Sequence, residues 1–454
     1  MPTPSLVNIP FITAPNVLFS QIPESGAGDF TVTRATTPDA GRSTRVNAAG
    51  LIELVPDNIA RLDYPLGGGC PALLVEPLAQ NTLQRSSEFE NAYWGKQDGA
   101  NVTLNDAISP DGTLNADRIN LVSGSLISRV ERAGLAYLAS TDYTLSFFLK
   151  NIALTAGQTF AIRLEGSGDF NLVGTVTLFS NTISVALSGT AVTGFVSGSE
   201  KSTVENYGNG WYRYSISLRT GTTAGNATVY LITNVDANRS FHAWGAQLEA
   251  SSVPTSYILT TTAAVTRSAE QIRRANVSSL IGQTEGTIYL EVEAPTATND
   301  VVAIQRQTLG TSLASGDYIM LQKTPTNLYR FVVAVGGSLS FTITQSAPPT
   351  TSFVKIAMAY RGTSSASSAF FINGTQVGSD NTTTFSFPPS IQNIEFVGNQ
   401  LVGAQTIRIR AFTLYPTRLS NVDLVNITAP AGSFWWGINM PTKLWGTATN
   451  EIWG

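Results

Sequence analysis

The chain has 454 residues, of which 43% are hydrophobic and only 13% charged, with a formal net charge of -4 and a pI near 5.2. So long a chain exceeds one ordinary core, and two or three domains are expected. The acidic balance excludes the clustered Lys and Arg of a nucleic-acid footprint, and the single cysteine, Cys70, excludes an intrachain disulfide and a cysteine zinc site.

Met1-Pro-Thr-Pro4 lacks the basic and apolar regions of a signal peptide, and no apolar run approaches the ~20 residues of a membrane span. A soluble protein made in a cytoplasm, without membrane insertion, is the expectation. Residues 1–72 read as an extended arm with little core of its own, holding short extended pieces at 29–34 and 50–55 and broken by Pro56, Pro65 and Gly67-Gly-Gly69. Val32-Thr-Arg34 recurs as Val265-Thr-Arg267, too short a match to define a repeat.

Residues 73–272 alternate apolar and polar, as strands with one buried face do. Tyr143, Leu145, Phe147 and Leu149 share a face; after Trp211, so do Tyr212, Tyr214, Ile216 and Leu218, against Arg213, Ser215, Ser217 and Arg219. Two sheets packed face to face follow. Residues 273–283 read as a linker. The alternation resumes in 284–428 with Gly286-Thr-Ile-Tyr-Leu-Glu-Val-Glu293, followed by further strands. Asn373-Gly374 signals a hairpin, because a type I′ turn needs positive φ at both central residues. Ser420, with Asp423 three residues on, predicts the cap of a short helix. The tail, 429–454, carries Trp435, Trp436, Trp445 and Trp453; rings at that density need a surface to cover, so they are read as an interface.

Several of these segments carry a family likeness. Leu73-Leu-Val-Glu-Pro77 with Asn81, Phe89-Glu-Asn-Ala-Tyr-Trp94, Ser109-Pro-Asp-Gly112 with Asp117, Asn209-Gly-Trp-Tyr-Arg213 and Trp244-Gly-Ala-Gln-Leu-Glu249 followed by Pro254-Thr-Ser-Tyr257 occur in the order found in carbohydrate-binding-module-like jelly rolls of bacteriophage tail, head-fibre and related virion proteins. Residues 73–272 resemble that module. Lys355-Ile-Ala-Met-Ala-Tyr360, Phe371-Ile-Asn-Gly374 and Leu414-Tyr-Pro-Thr-Arg-Leu-Ser420 give 284–428 a resemblance to concanavalin-like or laminin-G-like sandwiches appended to phage structural proteins. The resemblances imply an all-β virion protein: an arm for attachment or subunit contacts, a jelly roll, a second sandwich and a Trp-rich tail. They also imply other virion proteins as partners and a homotrimer.

Chemistry is sparse. Any histidine mechanism has to run through His242, the only one in the chain, which sits within a strand. Asp98, Asp106, Asp111 and Asp117 are dense enough to suggest a carboxylate pair, but Asp111-Gly112 reads as a turn and Asp117 as a strand start. A structural calcium on carboxylates and carbonyls is the alternative, with no ligand set named. No cofactor is implied, and no enzyme activity is assigned. Trp94, Trp211 and Tyr212 are the candidates for stacking on a sugar ring, with Trp244 beside them, although each belongs to a family-marking motif and so suits a core role too. The loops 165–172, 197–209 and 310–317 are the other places for binding residues. The reading is a tail- or head-fibre subunit that binds host surface glycans. Its alternatives are a capsid decoration or connector protein that binds no sugar, and a glycan-depolymerising enzyme.

Overall fold

The structure is a computed structural model that describes residues 1–430 except 10, 35–42, 125–126, 167–168, 190–192, 234–236, 295–298, 306–315, 325, 348, 350–352, 364, 366, 388–390 and 397–405. The described residues are almost all β, with one α-helix, Asn421–Thr428. Ser420 caps that helix as expected: its hydroxyl accepts from the Asp423 amide at 3.2 Å. Asn373 and Gly374 turn their hairpin with φ of 48° and 80°.

Strand pairing departs from a linear reading of the sequence. An eight-stranded sheet runs Thr375–Gln376, Ala369–Ile372, Val354–Arg361, Glu285–Glu293, Ile407–Tyr415, Ala72–Val75 and Arg61–Asp63, with Leu6–Asn8 also paired to Ile407–Tyr415. A nine-stranded sheet opposite it starts Ile12–Ala14, Val17–Phe19, Phe30–Thr33, Gln271–Arg274 and Asn393–Phe396, then continues through Asn299–Gln305 to Ser338–Thr344. The first 75 residues are therefore not an arm apart from any core. Leu6, Phe11, Leu18, Phe30 and Val32 are buried in one cluster with Ile288, Leu290, Ile356, Phe396 and Phe412. Phe30 stacks on Phe396 at 5.0 Å and meets Phe412 edge-on at 6.0 Å. The expected linker is likewise built in: Gln271–Arg274 pairs on both sides, and Val277 and Ile281 join the same core. Leu73 and Val75, read as the start of the jelly roll, are core residues of this frame sandwich.

The second sandwich is inserted into the frame. The chain leaves through Ala79–Asn81 and returns through Val265–Arg267, and these two strands pair with each other. Asn81, fully buried, closes the neck: its side chain donates to the Ala246 and Ile258 carbonyls and accepts from the Leu83 and Leu248 amides. Two six-stranded antiparallel sheets follow. One is ordered Gly95–Gln97, Arg129–Tyr137, Gly225–Ile232, Phe160–Gly166, Phe170–Thr177, Thr182–Gly189; the other Asn101–Ile108, Leu114–Leu121, Arg239–Glu249, Asp142–Asn151, Trp211–Arg219, Lys201–Gly208. Their facing sides bury the expected Tyr143, Leu145, Phe147, Leu149, Tyr214, Ile216 and Leu218.

The outer faces of the two inserted sheets differ. The second is covered by the hairpin Ser43–Val46/Ile52–Val55 of the frame and by residues 255–258, so Ser146, Phe148, Arg213, Ser215, Gln247 and Glu249 are buried although they point away from the core. Ile52 packs with Phe148, Trp211, Trp244 and Tyr257 there, and Thr44 donates to the Tyr257 carbonyl at 2.6 Å. Gly245, at φ +63°, keeps this contact close: a Cβ would lie 2.7 Å from Phe148.

Charge fills the rest of the seam. Arg61 donates from Nε to Glu270 at 2.8 Å and from Nη2 to Glu76 at 2.8 Å, Arg34 reaches Glu270 at 3.2 Å and Arg267 reaches Glu76 at 2.9 Å, all five side chains being at most 1% exposed. The remaining lone pairs of Glu76 take Ser256 N, Ser256 Oγ and Thr406 Oγ1. Burial alone would raise the Glu76 carboxyl, but Arg267 and Arg61 outweigh it and hold it far below the usual carboxylate range. Arg34 and Arg267 close the two Val-Thr-Arg tripeptides, so the short recurrence marks two arms of one cluster.

Candidate functional site

The outer face of the sheet Gly95–Gln97 to Thr182–Gly189 is the broad polar surface that the frame leaves uncovered in the insert. Cross-strand register sets its rows. Glu131, Tyr230, Arg163, Val173 and Ala186 lie opposite one another across five strands, and Thr228, Glu165, Asn171 and Ser188 form the next row. Strand alternation places these side chains outward because their neighbours Val130, Leu231, Ile162 and Leu172 fill the core.

The polar groups are tied to one another. Arg163 donates to Asn171 Oδ1 at 2.6 Å and pairs with Glu165 at 3.0 Å; its guanidinium carbon lies 5.3 Å from the Tyr230 ring centroid. The Tyr230 hydroxyl donates to Glu165 at 2.9 Å, and burial followed by that bond raises its pKa. Arg129 pairs with Glu131 and with Asp98, both at 2.6 Å. The side chains of Arg129, Glu131, Arg163 and Glu165 are 18–36% exposed, so they are held in place yet reach solvent. A half-buried aromatic ring beside fixed donors and acceptors suits a polyhydroxylated ligand, whose hydroxyls such pairs can receive.

The residues expected to stack on sugar lie elsewhere. Trp94 and Trp211 are 2% and 1% exposed. Trp94 Nε1 donates to the Arg85 carbonyl with its ring against Phe89, and Trp211 Nε1 donates to the Ile108 carbonyl. Tyr212 faces the core and Trp244 the seam. The three tryptophans are buried and Tyr212 is half-buried against the core, because each motif that carries them builds the core or the seam. Trp435, Trp436, Trp445 and Trp453 lie outside the described residues. Of the loops, 165–172 touches the polar face through Glu165 and Asn171; 197–209 is mostly the strand Lys201–Gly208; and 310–315 lies outside the described residues.

The four aspartates do not converge. Asp98 pairs with Arg129; Asp106 meets His242 Nε2 at 2.9 Å and Arg118 at 3.4 Å. Asp111 closes a turn on Ser109, Thr113 and Asn115, and these bonds lower its pKa against the effect of burial. Asp117 is 1% exposed and accepts from the Phe89 and Asn105 amides at 2.7 and 3.0 Å. Burial and the nearby Glu90 push it up to about 7, against the two amide bonds, which lower it. Among the described residues no three metal-ligating side chains gather.

No family model matches the chain, and no curated protein matches it. Among solved structures, the Ruminococcus gnavus IT-sialidase CBM40 bound to alpha2,3 sialyllactose is 16% identical over 34% of this chain and 91% of its own, with a TM-score of 0.29. A structure described as a receptor binding domain is 12% identical over 35% of this chain and 39% of its own, with a TM-score of 0.26. Trypanosoma rangeli sialidase is 9% identical over 93% of both chains, with a TM-score of 0.25. Likenesses this shallow carry neither function nor substrate, which have to come from the chain's own side chains.

Proposed function

We propose that this chain is a structural subunit of a bacteriophage virion, of the tail- or head-fibre type, that adsorbs to host surface glycans through the open sheet of its inserted sandwich. The observation that supports it is the contrast between the two inserted sheets: one is sealed by the frame, the other displays Tyr230 among Arg163, Glu165, Asn171, Glu131 and Arg129. The order of family-like motifs supports the virion setting, with other virion proteins and two further copies of the chain as partners. Multiple copies would turn weak single sites into avidity.

Two measurements test this reading. Purified virions labelled with gold-tagged antibody against residues 284–428 should carry gold at fibre ends; virions free of gold would remove the virion assignment. Labelled protein should stay on host cells, leave when competing glycan is added, and fail to bind once Tyr230→Ala is introduced. A second reading, as a connector or decoration protein that binds no sugar, is favoured by Leu104, Ile108 and Leu114, 57–62% exposed in the hairpin Asn101–Ile108/Leu114–Leu121. Labelled protein that is not retained on host cells, while it does join purified virion proteins, would favour it.

A further inference from the structure

Resting on the glycan-binding reading of the open sheet, we infer that its ligand is an uncharged oligosaccharide, recognised through a pair of neighbouring hydroxyls, and not an acidic one. The charges on the face carry the inference. Its two guanidiniums, Arg129 and Arg163, are already paired to Asp98, Glu131 and Glu165, so three carboxylates meet two arginines. An incoming carboxylate or sulfate meets a net negative surface, and at either arginine it has to sit beside a carboxylate already paired there. Mutual pairing has spent the attraction that would select an anion.

Neutral hydroxyls meet no such barrier. A guanidinium has five N–H donors and a carboxylate about four acceptor positions, and the bonds above occupy only part of each. Arg163 and Glu165 therefore offer a donor and an acceptor side by side, 3.0 Å apart, which suits two hydroxyls on adjacent ring carbons, one accepting and one donating. Asn171 holds the guanidinium from one side and the Tyr230 hydroxyl holds the carboxylate from the other, so the fork is ordered before ligand arrives. Gln97, opposite Arg129 in register, extends the uncharged hydrogen-bonding surface toward the edge strand.

The test uses the full-length protein on immobilised polysaccharides: mannan, galactan and dextran as neutral probes, polygalacturonate and polysialic acid as acidic ones. At least one neutral polymer should retain the protein, with affinity changing less than about twofold between 50 and 500 mM salt. Tyr230→Ala and Glu165→Gln should each weaken that retention about tenfold or more, while Arg163→Lys, which keeps the charge and loses the planar fork, should weaken it comparably. Unchanged thermal melting separates lost binding from lost folding. Retention on an acidic polymer that falls steeply with salt and disappears in Arg163→Ala would overturn the neutral-ligand inference and leave the glycan reading standing. Retention on none of the five, or retention that Tyr230→Ala leaves unchanged, would overturn both.

Discussion

Two groups of arginines and carboxylates occupy this molecule, and they differ chiefly in where they stand. Arg34, Arg61, Arg267, Glu76 and Glu270 are sealed in the seam between the sandwiches at 0–1% exposure. Arg129, Arg163, Glu131 and Glu165 lie on an open sheet at 18–36%. Distances are similar in both, 2.6–3.2 Å, so bond length does not separate them. In the seam each charge depends on the others because water cannot replace a lost partner. On the open face water can, and the pairs add little to stability while remaining available to a ligand. The same chemistry thus acts as a fastener in one place and as a recognition surface in the other.

Removing the partner shared by both buried carboxylates breaks the comparison at its stronger end. Arg61→Ala leaves Glu76 and Glu270 with one arginine each in a water-free seam, and should cost about 3–5 kcal/mol, read as a lower midpoint in denaturant unfolding. A loss below about 1 kcal/mol would mean that the seam admits water and that the two clusters are equivalent.

Asp117 sharpens the comparison by separating burial from pairing. It is as buried as Glu76 but faces no arginine, and its pKa moves the opposite way, up to about 7. A carboxyl whose folded pKa is raised contributes stability that is full below the unfolded value near 3.8 and is lost as pH rises through the folded value. Stability should therefore decline between about pH 4 and pH 7, and Asp117→Asn should flatten that slope in thermal melts across the range. A slope that Asp117→Asn leaves intact would assign the titration to another group.

Arg163→Ala tests the open face and should have the smallest effect on folding, about 0–1 kcal/mol, while abolishing glycan retention. A destabilisation comparable to that of Arg61→Ala would make the open cluster a structural element and not a recognition surface.

How much of this was legible in the sequence depended on the range of the signal. Alternation identified the strands and their inward residues, as at Tyr143–Leu149, and turn and cap chemistry fixed Asn373-Gly374 and Ser420. Period-two alternation says which side of a strand is buried but not which strand lies beside it. Nothing local in Leu6–Asn8 points to Phe412–Leu414, so residues 1–72 read as an arm. The twin Val-Thr-Arg tripeptides held the available clue to the seam. The open face carried no motif: Arg163 and Glu165 are ordinary outward positions of an alternating strand, and the aromatic residues that stood out in the sequence did so because they build the core and seam.

The insertion also sets an order of events during synthesis. Leu6–Asn8 pairs with a strand some 400 positions later, which at about 5–20 residues per second leaves it waiting roughly 20–80 s on the ribosome. The inserted sandwich, whose strands all pair within Ala79–Arg267, is complete long before then. Its strands have all their sheet partners at that stage, whereas the frame closes around its neck only when Ile407–Tyr415 arrives. Until that moment Leu6–Asn8 lacks its strand partner beside every other nascent copy on the same message, and it is there that a chaperone or a neighbouring chain has its opening.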